Sequence, residues 1–408
     1  MRLSADDASR AARDFDLRAP GAAFYDDPYP VYRALREFDP VRRMPDGSLL
    51  LTRFADVQAV YRDPVVFSSD KKVEYAPKYG DTPLYRHHTT SMVFNDPPLH
   101  TRVRRLIAGA LTQRAIAEME PQLTSLVDRL LDAAQREGRI DLIADFAAAI
   151  PVEVIGNLLA VPHADRGPLR QWSLAILGAL EPAISVEAAA RGNRAVTEFL
   201  AYLETLVAHR RRHPGDPQRD VLTRLIQGEA SGERLGEDEL LHNCIFILNA
   251  GHETTTNLIG NGLIALAQCP RERERLIAEP RHIRTAVEEI LRFESSNQLG
   301  NRIATVATSV GGMPVDAGTR ITLCIGAANR DPAQFPDPDR FDVTREPNRH
   351  LGFGFGVHQC AGMSLARLEG RIAIGRFVAR FPRYALDGPP ARSPRARFRG
   401  FLSAPCLV

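Results

Sequence analysis

The sequence lacks the features that would place it in a membrane or in an oxidising compartment. None of its 408 residues belongs to an uninterrupted apolar run of the roughly 20 residues that span a bilayer. The N-terminus, residues 1–7, has no apolar signal core. The five cysteines form no C-x-x-C pair, and an odd, widely spaced set is typical of a reducing compartment. We therefore expect a soluble, cytoplasmic protein with no membrane partner.

Charge of one sign and flexible linkers are also scarce. The formal net charge is +2 at pH 7, which gives no global argument for binding nucleic acid. Nearly all the positive charge is arginine, since the lysines are Lys71, Lys72 and Lys78 alone. No Gly/Ser linker, repeat or low-complexity stretch divides the chain, so we expect one domain over residues 1–408. No apolar stripe or heptad stands out, and this predicts a monomer.

Helical periodicity dominates the middle of the chain. Residues 97–293 repeatedly place apolar side chains at the i, i+3 and i+4 spacing of an amphipathic helix. The longest helix is predicted from Glu237 to Gln268, because Pro270 ends the pattern. Short strands are expected as a hairpin at 41–52, again after Arg292, and in the tail. Residues 64–95 are predicted to be an irregular loop. The fold class is therefore mainly α (α+β), with small sheets in the N- and C-terminal parts.

One cysteine stands where a thiolate metal ligand would be stable. Cys360 ends the glycine-punctuated segment Phe353-Gly354-Phe355-Gly356-Val357-His358-Gln359-Cys360 and directly precedes a helix-forming run. The N-terminus of a helix favours the negative charge of a thiolate. A single cysteine is more often a small buried hydrophobe. The surrounding pattern of Phe, Gly and His instead favours a metal-thiolate site.

The predicted long helix carries polar residues within an apolar stretch. Glu253 and Thr254 lie between apolar residues on both sides, where unpaired polar groups are costly. One interpretation is a helix turn whose polar side faces solvent, and the other is a proton relay. His252-Glu253 also begins the zinc-protease motif H-E-x-x-H, but Thr256 stands where the second histidine is required, so that motif is rejected.

Four segments together resemble the cytochrome P450 family, and they occur in that family's order. They are the cysteine loop 353–362, the E-x-x-R pair Glu289 and Arg292, the segment 250–255, and the segment 97–104. The resemblance covers nearly the whole chain and implies a cytochrome P450 fold. It also implies haem b (iron protoporphyrin IX) as the cofactor, with Cys360 as the ligand of the iron.

The resemblance assigns expected roles to other residues. His100, Arg104, Arg302 and His358 match positions that bind the haem propionates, while Phe353 and Gly354 belong to the loop around the cysteine. Glu253 and Thr254 match the acid–alcohol pair that supplies protons during O–O bond cleavage. Glu289 and Arg292 match a buried pair that holds the haem loop by bonding to an arginine of the preceding segment. Arg340 is the expected partner.

Substrate contacts follow from the same resemblance. They are expected from the loop 70–94 and from Phe246, Asn249, Ala250, Asn297, Gln298, Leu299 and Phe401. The loop collects the basic residues Lys71, Lys72, Lys78, Arg86, His87 and His88. One interpretation is a cationic lid that selects an anionic small molecule. The other, which we favour, is a solvated loop.

The predicted function is a haem-thiolate monooxygenase that inserts one atom of O2 into a small organic substrate. After the cysteine loop only residues 361–408 remain, too few for a fused reductase. Electrons are therefore expected from a separate ferredoxin and its ferredoxin reductase, with Arg102, Arg105 and Arg367 as a possible docking face. The alternatives are a peroxygenase of the same fold and a non-catalytic haem sensor or carrier.

Overall fold

The computed structural model describes residues 4–217, 220–228 and 234–408. Its α-helices are α1 Ala5–Asp14, α2 Ala22–Asp26, α3 Tyr29–Phe38, α4 Phe54–Arg62, α5 Lys72–Tyr79, α6 Pro83–Thr90, α7 Leu99–Ala110, α8 Gln113–Glu137, α9 Ala149–Leu158, α10 Leu169–Gly178, α11 Val186–Arg212, α12 Val221–Gln227, α13 Glu237–Gln268, α14 Pro270–Ala278, α15 Ile283–Phe293, α16 Ile325–Ala328 and α17 Met363–Arg380. Short 3-10 helices cover Met92–Phe94, His163–Asp165, Pro280–His282 and Gly356–His358, and a π-helix covers Leu142–Ala147.

The strands are β1 Val41–Arg43, β2 Leu49–Leu51, β3 Phe67–Ser68, β4 Arg139–Asp141, β5 Leu299–Ala304, β6 Thr308–Val310, β7 Met313–Val315, β8 Arg320–Cys324, β9 Ala385–Leu386, β10 Ala391–Arg392, β11 Phe401–Ser403 and β12 Pro405–Leu407. The largest sheet has the order β1-β2-β8-β5-β3. Its β1–β2 pair is the predicted hairpin, antiparallel with Val41 opposite Leu51. The tail supplies strands to two further sheets, β10-β11 and β4-β12-β9. The predicted mainly helical fold with small sheets is confirmed.

Helix α13 has the predicted bounds and forms the axis of the helical part. Its first turn is capped because the Glu239 carboxylate accepts a hydrogen bond of 2.9 Å from the backbone N–H of Gly236. The helix packs against α9, α10, α11 and α17, so most of its side chains are buried on every face. Its central residues therefore lie in the interior of the protein, and the polar residues among them need partners or a cavity.

The prediction of an irregular loop over residues 64–95 is wrong. This region forms the helices α5 and α6, with a short 3-10 helix after them. The prolines that indicated a loop sit at helix ends: Pro83 opens the first turn of α6 after Thr82, whose side chain accepts from the N–H of Tyr85. Pro77 lies near the C-terminal end of α5, three residues before Gly80.

Two cores flank the region of the cysteine loop. The larger core is built from the helices around α13, and a second core lies under the main sheet, where Leu49, Leu51, Ile321 and Leu323 are fully buried. The loop 353–360 lies between them, since Phe353 packs against the first core and Phe355 against the second. Across the ranges that the structure describes, we find no helix long and apolar enough to cross a bilayer.

Candidate active site

A cavity lies between α13, the cysteine loop and β5. It brings together every residue predicted to contact the cofactor, namely Cys360, His100, Arg104, Arg302, His358, Phe353 and Gly354. On the same cavity wall lie Thr254 and five of the predicted substrate contacts: Phe246, Asn249, Ala250, Asn297 and Leu299. The sequence segments that are far apart along the chain therefore converge on one site.

The cysteine loop is held in a tight turn that requires glycine. Gly356 has a φ of +72°, and a Cβ there would lie 2.5 Å from the carbonyl oxygen of Tyr61. The N–H of Cys360 donates a hydrogen bond of 2.9 Å to the carbonyl of Phe353, which closes the loop. Burial raises the pKa of the Cys360 thiol, while the Gly362 backbone and the charges of Arg104 and Arg367 lower it. A bound metal ion would favour the thiolate.

The chemistry of the donor set fits a metal held in a macrocycle. Within the described ranges, no group of three or more His, Cys, Asp or Glu side chains is placed to bind a bare metal ion. If a metal binds beside Cys360, this residue would supply one thiolate ligand, and the remaining ligands would come from the bound group itself. A haem would bring nitrogen ligands of its own for the iron, and Cys360 would add the thiolate.

The cavity rim near the cysteine has buried donors that lack acceptors. The rings of His100 and His358 lie 4.0 Å apart, and both ring nitrogens of His100 and Nε2 of His358 have no hydrogen-bond partner among the described residues. Burial, with the nearby positive charges of Arg104 and Arg302, lowers the pKa of His100 to about 4 and that of His358 to about 2. Two haem propionates would supply the missing acceptors, so these residues fit the cofactor.

Thr254 faces the cavity from α13. Its hydroxyl donates a hydrogen bond of 2.6 Å to the carbonyl of Ala250, one turn earlier, and Ala250 also lines the cavity. The hydroxyl oxygen keeps its acceptor capacity for a group inside the cavity. Thr254 can therefore hold a water or a substrate atom beside the cofactor position.

Glu253 does not line the cavity, unlike its neighbour. Its side chain is buried and forms an ion pair of 2.5 Å with Arg395 of the tail, while its second oxygen, Oε2, has no partner. Burial raises the pKa of this carboxyl to about 7, and Arg395 partly offsets the shift. The carboxyl is therefore poised to change protonation near neutral pH, but in this structure it is separated from the wall that Thr254 occupies.

A second buried carboxyl, which the sequence analysis missed, does line the cavity. Glu369 of α17 is 2% exposed, and its Oε2 has no partner among the described residues. Burial alone raises its pKa to about 8, so it is protonated at neutral pH. A signal was present in the sequence, because Glu369 stands four residues after Leu365 and four before Ala373, on the apolar face of the helix.

The predicted structural pair is buried as expected, but its arginine partner was misassigned. Glu289 and Arg292 are fully buried and joined by two hydrogen bonds of 2.7 and 2.8 Å. The side chain that completes the site is Arg345, 3.2 Å from both Glu289 oxygens. Arg340 offers its backbone carbonyl to Arg292, while its side chain points outward toward Asp342.

Two of the predicted substrate contacts lie outside the cavity lining. The amide of Gln298 bonds to the carbonyl of Ser295 in the protein interior. Phe401 packs in the helical core with Arg392 over its ring, 3.8 Å from the ring centroid. The tail reaches the cavity instead through Arg397 and Phe398. Neither Arg397 nor Phe398 belongs to a recognisable motif, so the sequence offers no signal for their position.

The basic residues of region 71–88 are divided between the cavity and the surface. Lys72 pairs with Asp70 at 2.7 Å, and Arg86 pairs with Asp238 at 3.2 Å, both on the exposed side. Lys71, His87 and His88 are buried and line the cavity. Lys78 lies between them, with its Nζ donating to the carbonyl of Glu181. The favoured interpretation of a solvated loop therefore describes Lys72 and Arg86, while Lys71, His87 and His88 lie where the alternative, a cationic lid, would place them.

The predicted docking arginines are partly neutralised. Arg102 forms an ion pair with Glu239, and Arg367 forms a bidentate pair with Glu288 at 2.7 and 2.8 Å. Arg105 is exposed on α7. The guanidinium charges of Arg102 and Arg367 are thus offset by carboxylates, which weakens the case for this set as an acceptor of an acidic protein.

Comparisons with known proteins agree on one family. The family model described as cytochrome P450 matches residues 180–402. The chain is 39% identical to the vitamin D(3) 25-hydroxylase of Pseudonocardia autotrophica over 89% of this chain and 88% of that protein. The structure matches P450BioI, solved with an acyl carrier protein that carries hexadec-9Z-enoic acid, with a TM-score of 0.90, 34% identity and coverage of 95% and 100% of the two chains. It matches the myxobacterial cytochrome P450 CYP267B1, solved with myristic acid, with a TM-score of 0.86, 34% identity and coverage of 94% and 97%.

Proposed function

The chain belongs to the cytochrome P450 family, and from that premise we propose that it inserts one atom of O2 into a small organic substrate and reduces the other atom to water. It is an oxidoreductase, a monooxygenase with a haem-thiolate cofactor that acts on small molecules. We propose haem b as the form of that cofactor. When bound, the haem supplies the iron at which O2 is activated.

The observation that carries this proposal is the pairing of Cys360 and Thr254 on one cavity. Cys360 would hold the iron, and His100, Arg104, Arg302 and His358 would hold the propionates. Thr254 lines the same cavity from α13 and keeps an acceptor site on its hydroxyl. Its role is to position a water or hydroxyl that delivers protons to the reacting oxygen.

Substitution of Thr254 tests the proposal against a matched residue on the same helix. Thr256 donates an equivalent hydrogen bond of 2.9 Å to the carbonyl of His252, one turn earlier, but it does not line the cavity. With a compound chosen because it shifts the Soret band, Thr254→Ala should lower oxygenated product per electron consumed by about 100-fold, the size of a typical proton-transfer contribution. Thr256→Ala should leave the yield unchanged. Full yield in Thr254→Ala with normal haem content contradicts the proposal.

The position of Glu253 supports testing the peroxygenase alternative. A peroxide-driven reaction brings its own protons and both oxygen atoms, so it does not need an acid beside Thr254. The ion pair between Glu253 and Arg395 turns that acid away from the cavity wall. Product from hydrogen peroxide but none from O2 with reduced ferredoxin and ferredoxin reductase would favour this alternative. Product from O2 with reduced ferredoxin supports the monooxygenase.

A separate ferredoxin, reduced by its own reductase, is the proposed electron donor. Of the arginines predicted to bind it, Arg105 is exposed on α7, and Arg102 and Arg367 form ion pairs with carboxylates. If this face binds the donor, Arg105→Glu should weaken its binding and reduce the dependence of that binding on salt concentration. An unchanged affinity would place the donor elsewhere.

A further inference from the structure

Part of the cavity wall carries three basic side chains from separate segments, which we call the cationic pole: Lys71, His88 and Arg397. The charge of Arg397 lowers the pKa of both Lys71 and His88, so Arg397 lies within electrostatic reach of each of them. Lys71 and His88 are each 1% exposed. Region 71–88 and the tail therefore meet at the cavity, and the resulting charge is not evident from either segment alone.

The charge of Arg397 has no carboxylate opposite it. Its guanidinium donates to neutral oxygens, the carbonyls of Leu180 and Leu299 at 3.0 Å each and the side-chain amide of Asn301. Among the described residues it forms no ion pair. By contrast, Lys71 is bonded to Glu74 at 2.8 Å. The nearby Glu181 carboxylate accepts hydrogen bonds of 3.1 and 3.3 Å from the backbone N–H of Arg397 and none from its guanidinium. The pole thus presents one guanidinium that has no carboxylate as hydrogen-bond partner among the described residues, which suits a ligand with a single negative charge.

The position of His88 supplies a hydrogen-bond donor beside that charge. The rings of Tyr75, Tyr79 and Phe94 surround it, with centroids 5.4 to 5.8 Å from its own. Neither of its ring nitrogens has a partner among the described residues. Burial lowers its pKa to about 3, so the imidazole is neutral and offers one N–H and one acceptor. The buried hydroxyl of Ser69, on the same cavity, also lacks a partner.

The remaining wall is mostly apolar. Its side chains include Met92, Phe94, Ile107, Ile155, Leu177 and Phe246. An apolar wall with a few convergent polar groups is the usual form of a site that fixes a ligand's orientation through one polar end. A molecule that matches this wall has an apolar body and one terminal group that accepts hydrogen bonds and carries one negative charge.

We propose that the cavity binds an organic monocarboxylate, with its carboxylate on Arg397 and His88 and its apolar body along the apolar wall. This inference rests on the proposed function, since it names the class of substrate for the same site. Arg397 sets the preference for an acid over a neutral analogue, and His88 adds a hydrogen bond to the bound carboxylate. Lys72 and Arg86, which face outward, take no part.

Arg397 is in excess of what the cofactor requires. Two propionates already have four expected partners, His100, Arg104, Arg302 and His358, on the cavity rim. Arg397 belongs to the tail and reaches the cavity beside Leu299 and Asn301 of β5. If Arg397 instead bound a haem propionate, its substitution would weaken the binding of haem, and this separates the two roles.

The test compares carboxylic acids with alcohols of the same skeleton. Dodecanoic acid and dodecan-1-ol represent flexible chains, and a bile acid with its corresponding alcohol represents fused rings. Affinity is measured by calorimetry and by the Soret shift in the haem-loaded wild type, Arg397→Gln and the matched surface variant Arg86→Gln. In the wild type and in Arg86→Gln, at least one acid should bind about 10- to 100-fold more tightly than its alcohol, as expected for a hydrogen bond to a charged group. Arg397→Gln should bind both with the affinity of the alcohol.

Several results would overturn the inference. Equal affinities of every acid and its alcohol in the wild type, or no binding of any acid, would exclude a carboxylate site. If Arg397→Gln weakened the binding of acid and alcohol by the same factor, Arg397 would only hold the fold around the cavity and would not bind the carboxylate. Faster transfer of haem from Arg397→Gln to apomyoglobin would show a propionate partner. The preference for acid over alcohol is measured by calorimetry without turnover, so it can be confirmed even if the protein oxygenates nothing. Conversely, oxygenation of a neutral compound would support the proposed function even if no acid is preferred.

Discussion

Two regions of the molecule differ in how their buried polar groups are hydrogen-bonded: the network around Glu289 and the cavity wall around His88. The Glu289 carboxylate accepts hydrogen bonds from Arg292, Arg345, Asn348 and the backbone of Asp342. On the cavity wall, polar atoms of Ser69, His88, Asn249, Ser296 and Asn297 are buried without partners among the described residues. A buried polar group without a partner costs free energy, whereas a satisfied network rigidifies its surroundings.

The difference separates the part of the molecule that holds the cofactor loop from the part that receives a ligand. The network fixes residues 329–348 against α15 through Arg292, which also donates to the carbonyls of Asn329 and Pro338. The wall instead keeps donors and acceptors that a bound molecule can satisfy. Substitutions should therefore affect stability at the network and ligand selectivity at the wall.

The largest expected effect comes from breaking the network. Arg292→Ala leaves the Glu289 carboxylate buried with part of its donors lost, which should cost about 3–5 kcal/mol of the free energy of unfolding. We also expect most of the haem to be lost, because the segment before the cysteine loop is released. Chemical denaturation and the haem-to-protein ratio measure both effects. Arg340→Ala removes an exposed side chain and should change the free energy of unfolding by less than about 0.5 kcal/mol; equal effects of the two variants would contradict the assignment.

A pH-dependent effect is expected at Glu369. Burial raises its pKa from 4.5 to about 8, so between these values the folded protein holds a proton that the unfolded chain releases. Its contribution to stability is therefore lost as the pH rises through that window. Glu369→Gln has no such titration, so its free energy of unfolding should exceed that of the wild type by up to a few kcal/mol at pH 8. Below pH 5 the difference between the two proteins should not change with pH. Glu37→Gln, at an exposed position, should show no such divergence; parallel unfolding curves for Glu369→Gln and the wild type would contradict the shift.

The smallest effect on stability is expected at Ser69, which is compared with Ser295 as an unpartnered against a hydrogen-bonded buried hydroxyl. Ser295 is fully buried and its hydroxyl bonds both the carbonyl of Leu291 and the amide of Asn329, each at 2.8 Å. Ser295→Ala should cost about 1–3 kcal/mol because it leaves those groups unpaired. Ser69→Ala removes a buried hydroxyl that has no partner among the described residues, so it should leave the free energy of unfolding unchanged or raise it. Thermal unfolding of the two variants measures both changes in stability. An equal loss of stability in Ser69→Ala and Ser295→Ala would mean that Ser69 has a partner in the folded protein.

The part of the site that sequence reasoning predicted consists of short, fixed-spacing segments. Residues three or four apart on one helix share a face, so spacing placed Glu289 beside Arg292, whereas the burial of the pair and its arginine partner were implied by the family resemblance. Glu253 was predicted to supply protons together with Thr254, and that role stays a prediction. The cavity stripe of α13 runs through Ala250, Thr254 and Leu258, four residues apart, and Glu253 lies off that stripe.

The part that sequence reasoning missed depends on long-range packing. Arg345 and Arg340 stand in the same segment, and the local turns decide which side chain faces Glu289. Arg397 becomes a cavity residue because the tail crosses β5, and a lone arginine in an irregular tail gives no pattern to detect. The helices of region 64–95 were missed because prolines at helix ends resemble prolines in loops.

The central claim is that Cys360 supplies the thiolate ligand of a haem in this cavity. The most direct measurement is the spectrum of the reduced, CO-bound protein, with Cys360→Ser compared with Cys324→Ser, a buried cysteine outside the cavity lining. We expect the absorption band of thiolate-ligated haem in the wild type and in Cys324→Ser, and its loss in Cys360→Ser. Retention of that band in Cys360→Ser, or its absence from the haem-loaded wild type, would contradict the claim.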